Sequence, residues 1–268
     1  MKQISYLDNC LKKGKIIRWP DNCMPLTVYV APFRWYKAKN ESFQYRQMVF
    51  DALNTWQQAT QGRISFQIVN SLNESQINID WRRVDRRSLG DCYFHFDSQG
   101  RLFSAEIQIG LSDGVIHSKY EDKNEVFHTI AHEIGHAVGL DHSPFSSDIM
   151  YVPHQFGVTN ISDGDKLTLK WMYTFPHGAT SLEILAKYRV SASYGLDYLI
   201  TQLENNDETT EKEASPKNSP DITTLHEEQK ILADINRYNL SLQNINIPSD
   251  VKKYIKNTQI EKDIKKNL

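Results

Sequence analysis

The chain has 268 residues, 40% of them hydrophobic, and a formal net charge of −2. That is enough apolar material for one well-buried core and an accessory region. The near balance of 31 basic and 33 acidic residues excludes the broad positive field of a nucleic-acid binder or of a protein drawn to an anionic membrane.

Met1 to Lys15 mix charged and polar residues with single apolar ones. They lack the apolar core of about 7 to 15 residues that a signal peptide requires. No stretch approaches the length of a transmembrane helix. A cytoplasmic protein, or one exported without a leader, is the expectation.

Pro25–Val30 is rich in β-formers and alternates, which predicts a first strand. Asn40 to Gln61 places Phe43, Met48, Val49, Leu53 and Trp56 at helical spacing. Ile64–Val69, Ile77–Trp81 and Ser104–Gly110 are three further predicted strands. Gly90 to Asp97 is expected to be a turn carrying a solvated His95. Ser162 is a good N-cap for a helix that runs on towards Tyr173, with acidic residues in its first turn.

Between these elements lies His132-Glu133-Ile134-Gly135-His136, followed by Gly139, His142 and then Asp148-Ile149-Met150-Tyr151. Residues four apart on a helix share one face, so His132 and His136 present their imidazoles to the same point. Gly139 suits a helix end, after which His142 is free to swing back as a third ligand. Three neutral nitrogens leave a fourth position for water, the arrangement of a catalytic zinc. Glu133 lies about 100° around the helix from His132, close to the open side, where a general base belongs. The expected chemistry is hydrolysis: Glu133 activates a zinc-bound water for attack on a carbonyl and returns the proton to the departing amine.

This extended pattern resembles the metzincin metalloproteases, and the wording from Ala131 to Ser143, then Met150-Tyr151, is similar to the matrixins, the matrix metalloproteinase branch, peptidase M10. The resemblance, over about residues 15 to 175, implies an α+β catalytic domain with a twisted mixed sheet and an active-site helix. It implies metal ligation by His132, His136 and His142, catalysis by Glu133, and one catalytic zinc ion above Met150. It also implies an endopeptidase acting on extended polypeptides. The substrate backbone is expected to pair with an edge strand at about Ala105 to Gly110. Val152-Pro153-His154 is expected to line the specificity pocket, although it departs from the usual Pro-x-Tyr wall. Matrixins are often extracellular, whereas Met1 to Lys15 do not read as a signal peptide.

His128 is expected to lie just behind the ligands without touching the ion, or at the surface. A structural zinc or calcium near His95 and Asp97 is not supported, because the other ligands are not evident. Asp165 resembles a family carboxylate that can pair with a freed N-terminus, but an ordinary helix-start aspartate is the preferred reading. The cysteines, Cys10, Cys23 and Cys92, are too few and too odd in number for a disulfide framework, so reduced thiols are expected. The zymogen signature around a prodomain cysteine is absent.

The expected organisation is a leader over 1–24, a catalytic domain over 25–175, a helical extension over 176–203, a flexible linker over 204–221, and a mainly helical tail over 222–268. The linker follows from near absence of apolar residues together with Pro216 and Pro220. The C-terminal helices are a candidate surface for a protein partner. Two alternatives keep the motif: a scaffold whose metal only organises the fold, and an amidase acting on non-peptide substrates.

Overall fold

The computed structural model describes residues 4–32, 39–84, 88–111 and 122–212; of 39–43 and 207–212 only the helical backbone is described. The chain divides into two units, Met1–Glu211 and Lys212–Leu268, and apart from Lys212 the second lies outside the described residues. The expected helical tail over 222–268 falls there.

The element order is α1 (Leu7–Cys10), β1 (Leu26–Val30), α2 (Lys39–Ala59), β2 (Phe66–Val69), β3 (Ile77–Arg83), β4 (Gly90–Phe96), β5 (Leu102–Leu111), α3 (Lys123–Ala137), α4 (Asp163–Thr174), α5 (Ser181–Lys187) and α6 (Leu196–Lys212). The five strands form one sheet in the order β2-β1-β3-β5-β4. The β1–β2, β1–β3 and β3–β5 pairs are parallel, and β4 runs antiparallel to β5. The expected mixed sheet and α+β class are therefore observed.

Alternation explains how the sheet buries a face. Leu26, Val28 and Val30 of β1 and Ile77, Ile79 and Trp81 of β3 turn inward at every second position, as period-two geometry requires. Val49, Leu53 and Trp56 of α2 join Val126, Ile130 and Ile134 of α3 in the same core. The indole N–H of Trp56 donates to the Ala131 carbonyl at 2.9 Å and ties the two helices together. No described helix is long and apolar enough to cross a membrane.

Three expectations are corrected. First, Gly90–Phe96 is the strand β4 rather than a turn, and it holds the sheet edge assigned to Ala105–Gly110. That segment belongs to β5, which is interior, paired with β3 on one side and β4 on the other. Second, residues 4–24 are packed rather than set apart as a leader. Tyr6, Leu7, Cys10, Ile16, Ile17 and Trp19 are all in the core, and the Trp19 indole donates to the Ala137 carbonyl at the end of α3. Third, α6 runs to Lys212, into the expected linker. Glu204 holds it by accepting from the Trp171 indole and from Lys170, each at 2.7 Å.

Helices α1 and α6 cap each other at their N-terminal ends. Asp8 accepts the backbone N–H groups of Leu196 and Asp197, and Asp197 accepts those of Leu7 and Asp8. Each aspartate thereby satisfies donors at the start of the other's helix, where α-helices leave N–H groups unpaired.

Candidate metal centre

Helix α3 begins at a true cap, with the Asp122 side chain accepting the Asn124 N–H at 2.8 Å. It carries His132, Glu133 and His136 and ends at Ala137. Gly139 follows with φ +111°, and a Cβ there would meet the Ile17 carbonyl oxygen at 2.9 Å, so both conformation and space call for glycine. The reversal brings His142 back to the helix. Ring centroids lie 4.8 Å apart for His132–His136, 4.9 Å for His136–His142 and 5.5 Å for His132–His142. One nitrogen from each ring lies within 4.8 Å of those of the other two.

Tautomers follow from the hydrogen bonds. Nδ1 of His132 contacts the Ile149 carbonyl at 2.7 Å, and Nδ1 of His136 contacts that of Leu140 at 2.9 Å. A carbonyl only accepts, so Nδ1 carries the proton in both rings and Nε2 keeps its lone pair. Burial, reinforced by the neighbouring imidazoles, holds the His132 pKa well below normal. Burial also pushes His136 down to about 4 and lowers His142. Three neutral nitrogen donors, two of them on rings fixed by backbone carbonyls, suit zinc, whose tetrahedral sites favour this donor set and this kind of outer support.

The floor is Met150, fully buried beneath Gly135; a Cβ on that glycine would lie 2.3 Å from the Met150 sulfur. The loop carrying it closes on itself through the Ser143 N–H to the Met150 carbonyl at 2.9 Å and Ser143 Oγ to Asp148 at 2.5 Å. Ile149, whose carbonyl orients His132, has its own N–H held by the fully buried Asp165 at 3.0 Å. Asp165 also accepts from Tyr6 and Ser162, so it does far more than start a helix.

Glu133 shares a cleft of about 510 Å³ with the three histidines, β4 residues Gly90–Tyr93 and the segment Tyr151–His154. Its carboxyl is pushed up to about 8, chiefly by burial and then by Asp91, with Arg82 opposing. Asp91 is itself anchored by Arg82 and Ser88. Val152, Pro153 and His154 line this same cleft.

His128 is buried rather than exposed, with Nδ1 against the Val158 carbonyl at 2.6 Å and its ring stacked 6.1 Å from that of His132. Its edge meets His154, which bonds the buried Glu125 at 2.6 Å; Glu125 in turn accepts the Gly157 N–H. This Glu125–His154 strut behind the cleft wall escaped sequence reasoning, since its partners lie 29 residues apart with no periodic signal. His95 stacks on Phe103 and Asp97 bonds Arg101, and neither joins a metal-competent group among the described residues.

A five-stranded mixed sheet followed by a helix that turns two histidines towards a third, above a methionine, defines a metzincin-like domain. A sequence model of the matrixin family, peptidase M10, matches residues 32–174, and the chain belongs to that family. Matrixins are zinc-dependent peptidases. The chain is 33% identical over 108 residues to matrix metalloproteinase 095L of Invertebrate iridescent virus 3, covering 36% of this chain and 29% of the relative. It is 29% identical over 162 residues to a protein of Heliothis virescens ascovirus 3e, covering 53% of this chain and 30% of that one. Both are provisionally named matrix metalloproteinases, and the chain spans under a third of the length of each.

Proposed function

We propose that this chain is a zinc-dependent endopeptidase that cuts extended polypeptides. His132, His136 and His142 hold the ion, and Glu133 is the general base. The observation carrying this reading is the convergence of three neutral imidazoles with a buried carboxylate in one cleft whose wall is a sheet edge. Zinc, when bound, supplies Lewis-acid polarisation of the scissile carbonyl and acidifies water.

The chain's own residues do the rest. The Ile149 and Leu140 carbonyls keep the ligand rings in the tautomer that offers Nε2. Glu133 accepts the proton of the attacking water and passes it to the departing amine. Burial raises the proton affinity of the Glu133 carboxyl, and a cation held by the three histidines would lower it again, leaving Glu133 a base near neutrality. β4 offers the peptide an edge: among the described residues its outer side pairs with no strand, and a polypeptide laid along it gains main-chain hydrogen bonds whatever its side chains.

Purified chain is expected to cleave an unstructured, casein-like substrate, to lose activity to a chelator and to regain it with zinc. Glu133→Ala is expected to lower the rate by about 10² to 10⁴ with metal still bound. An unchanged rate in that variant refutes the mechanism.

A further inference from the structure

We infer that residues 5–12, outside the segment matched to the family, are a permanent part of the metal centre, with Tyr6 and Asn9 acting as positioning residues for two of its ligands. The inference rests on the zinc-site reading above.

Two tethers run from this short segment towards the histidine triad. The first starts at the buried Tyr6 hydroxyl, which donates to Asp165 Oδ1 at 2.7 Å. The other oxygen of Asp165 takes the Ile149 N–H at 3.0 Å, and the Ile149 carbonyl takes His132 Nδ1 at 2.7 Å. Tyr6 thus stands three hydrogen bonds from a ligand ring. The second tether grips the loop of His142: Asn9 Nδ2 donates to the His142 carbonyl at 3.3 Å, and Cys10 Sγ accepts the Asp141 N–H at 3.3 Å. Lys12 pairs with the Asp141 carboxylate, which accepts the His142 N–H at 2.8 Å.

The need for such tethers follows from where the ligands sit. His132 and His136 inherit their spacing from the helix, but His142 is on a loop and half-exposed. Ordering that loop costs conformational entropy, and any of it not prepaid by the fold is drawn from metal binding. Residues 5–12 prepay it, and they are themselves fixed. The Tyr6 N–H bonds Thr168 Oγ1 at 3.0 Å, and the Asp8–Asp197 exchange locks α1 to α6. Loss of this segment is therefore expected to weaken metal retention rather than release activity.

The test uses the full chain with Tyr6→Phe, Asn9→Ala and a control, Ile64→Ala. Ile64 is buried ahead of β2 and its side chain is wholly hydrocarbon, so its truncation removes no hydrogen bond. Zinc affinity is measured by competition with a chromogenic chelator, and folding stability of the metal-free chain by urea. Tyr6→Phe and Asn9→Ala are each expected to weaken zinc binding by about 10-fold or more, the usual effect of losing an outer support. Ile64→Ala is expected to lose stability yet stay within about two-fold of the unaltered affinity, since its cavity lies outside that support. Unaltered affinity in either tether variant removes that tether. An equal weakening in the control assigns the effect to general stability and overturns the inference. Failure of the unaltered chain to bind zinc refutes the zinc-site reading itself.

Discussion

Gly90→Ala tests the placement of Glu133 while leaving Glu133 and every candidate ligand unsubstituted. Gly90 opens β4 directly against α3, and a methyl built on it would lie 2.7 Å from Glu133 Oε1, 2.8 Å from Glu133 Cγ and 2.8 Å from Thr129 Cγ2. Carbon atoms prefer about 3.5 to 4.0 Å, so β4 and α3 must part by roughly 0.7 Å or the carboxylate must swing aside. The overpacking costs about 1–3 kcal/mol. Because the Gly90 backbone is not in the left-handed region, alanine recovers about 0.4–1 kcal/mol by restricting the unfolded chain. The net loss of stability is then at most about 2.6 kcal/mol. Displacing a reacting group by about 1 Å costs on the order of 10² in rate. The expected signature is a rate lowered by about 10²-fold at full zinc content with a modest fall in melting temperature. Peptide cleavage, metal analysis and thermal unfolding on one preparation read all three. Full activity in a folded, zinc-loaded Gly90→Ala chain refutes the proposal that Glu133 works from this position.

Trp56→Phe removes the indole bond to Ala131 and part of a fully buried ring between α2 and α3, and urea unfolding is expected to show a loss of about 2 kcal/mol. Chelation is expected to lower the melting temperature, because an ion bound only by the folded chain stabilises it, and added zinc should restore it. Burial and the neighbouring Asp8 push the Asp197 carboxyl well above the usual carboxylate range. The folded chain therefore binds that proton more tightly than the unfolded one, and its contribution to stability falls as pH rises from about 4 through the folded pKa. The stability of Asp197→Asn relative to the unaltered chain should accordingly improve with rising pH, and a constant offset in urea midpoints across that range contradicts the assignment.

The clustering of the candidate ligands was legible because coordination chemistry restricts both residue type and spacing. An i,i+4 histidine pair on a helix, a glycine where the helix must reverse and a third histidine just beyond leave little freedom, and the structure brings His132, His136, His142 and Glu133 into one cleft. The inward faces of β1 and β3 were legible for a similar reason, since a strand buried on one side must alternate. β4 escaped because an edge strand beside an open cleft has no fully buried face: its residues are half-buried or exposed throughout, and no alternation marks it. Sheet order escaped too, since β5 precedes α3 in the chain while β4 takes the outer position through antiparallel pairing.

The N-terminal segment shows a further limit. Its six buried core residues are spread over Tyr6 to Trp19 with no helical or strand period, because they fill gaps left by α3 and α4 rather than one face of an element of their own. Its polar bonds reach 159 residues to Asp165 and 189 to Asp197, distances at which spacing carries no signal. α6 was misjudged from composition alone: Glu204 to Lys212 is almost devoid of apolar residues, but its glutamates and lysine are good helix formers. Glu204 anchors that stretch on the Trp171 indole, a tertiary bond that hydropathy does not record. The family pattern thus marks the atoms that would meet the ion, while the segments flanking it, 4–31 and 175–212, hold those atoms in place through bonds visible only once the chain is folded.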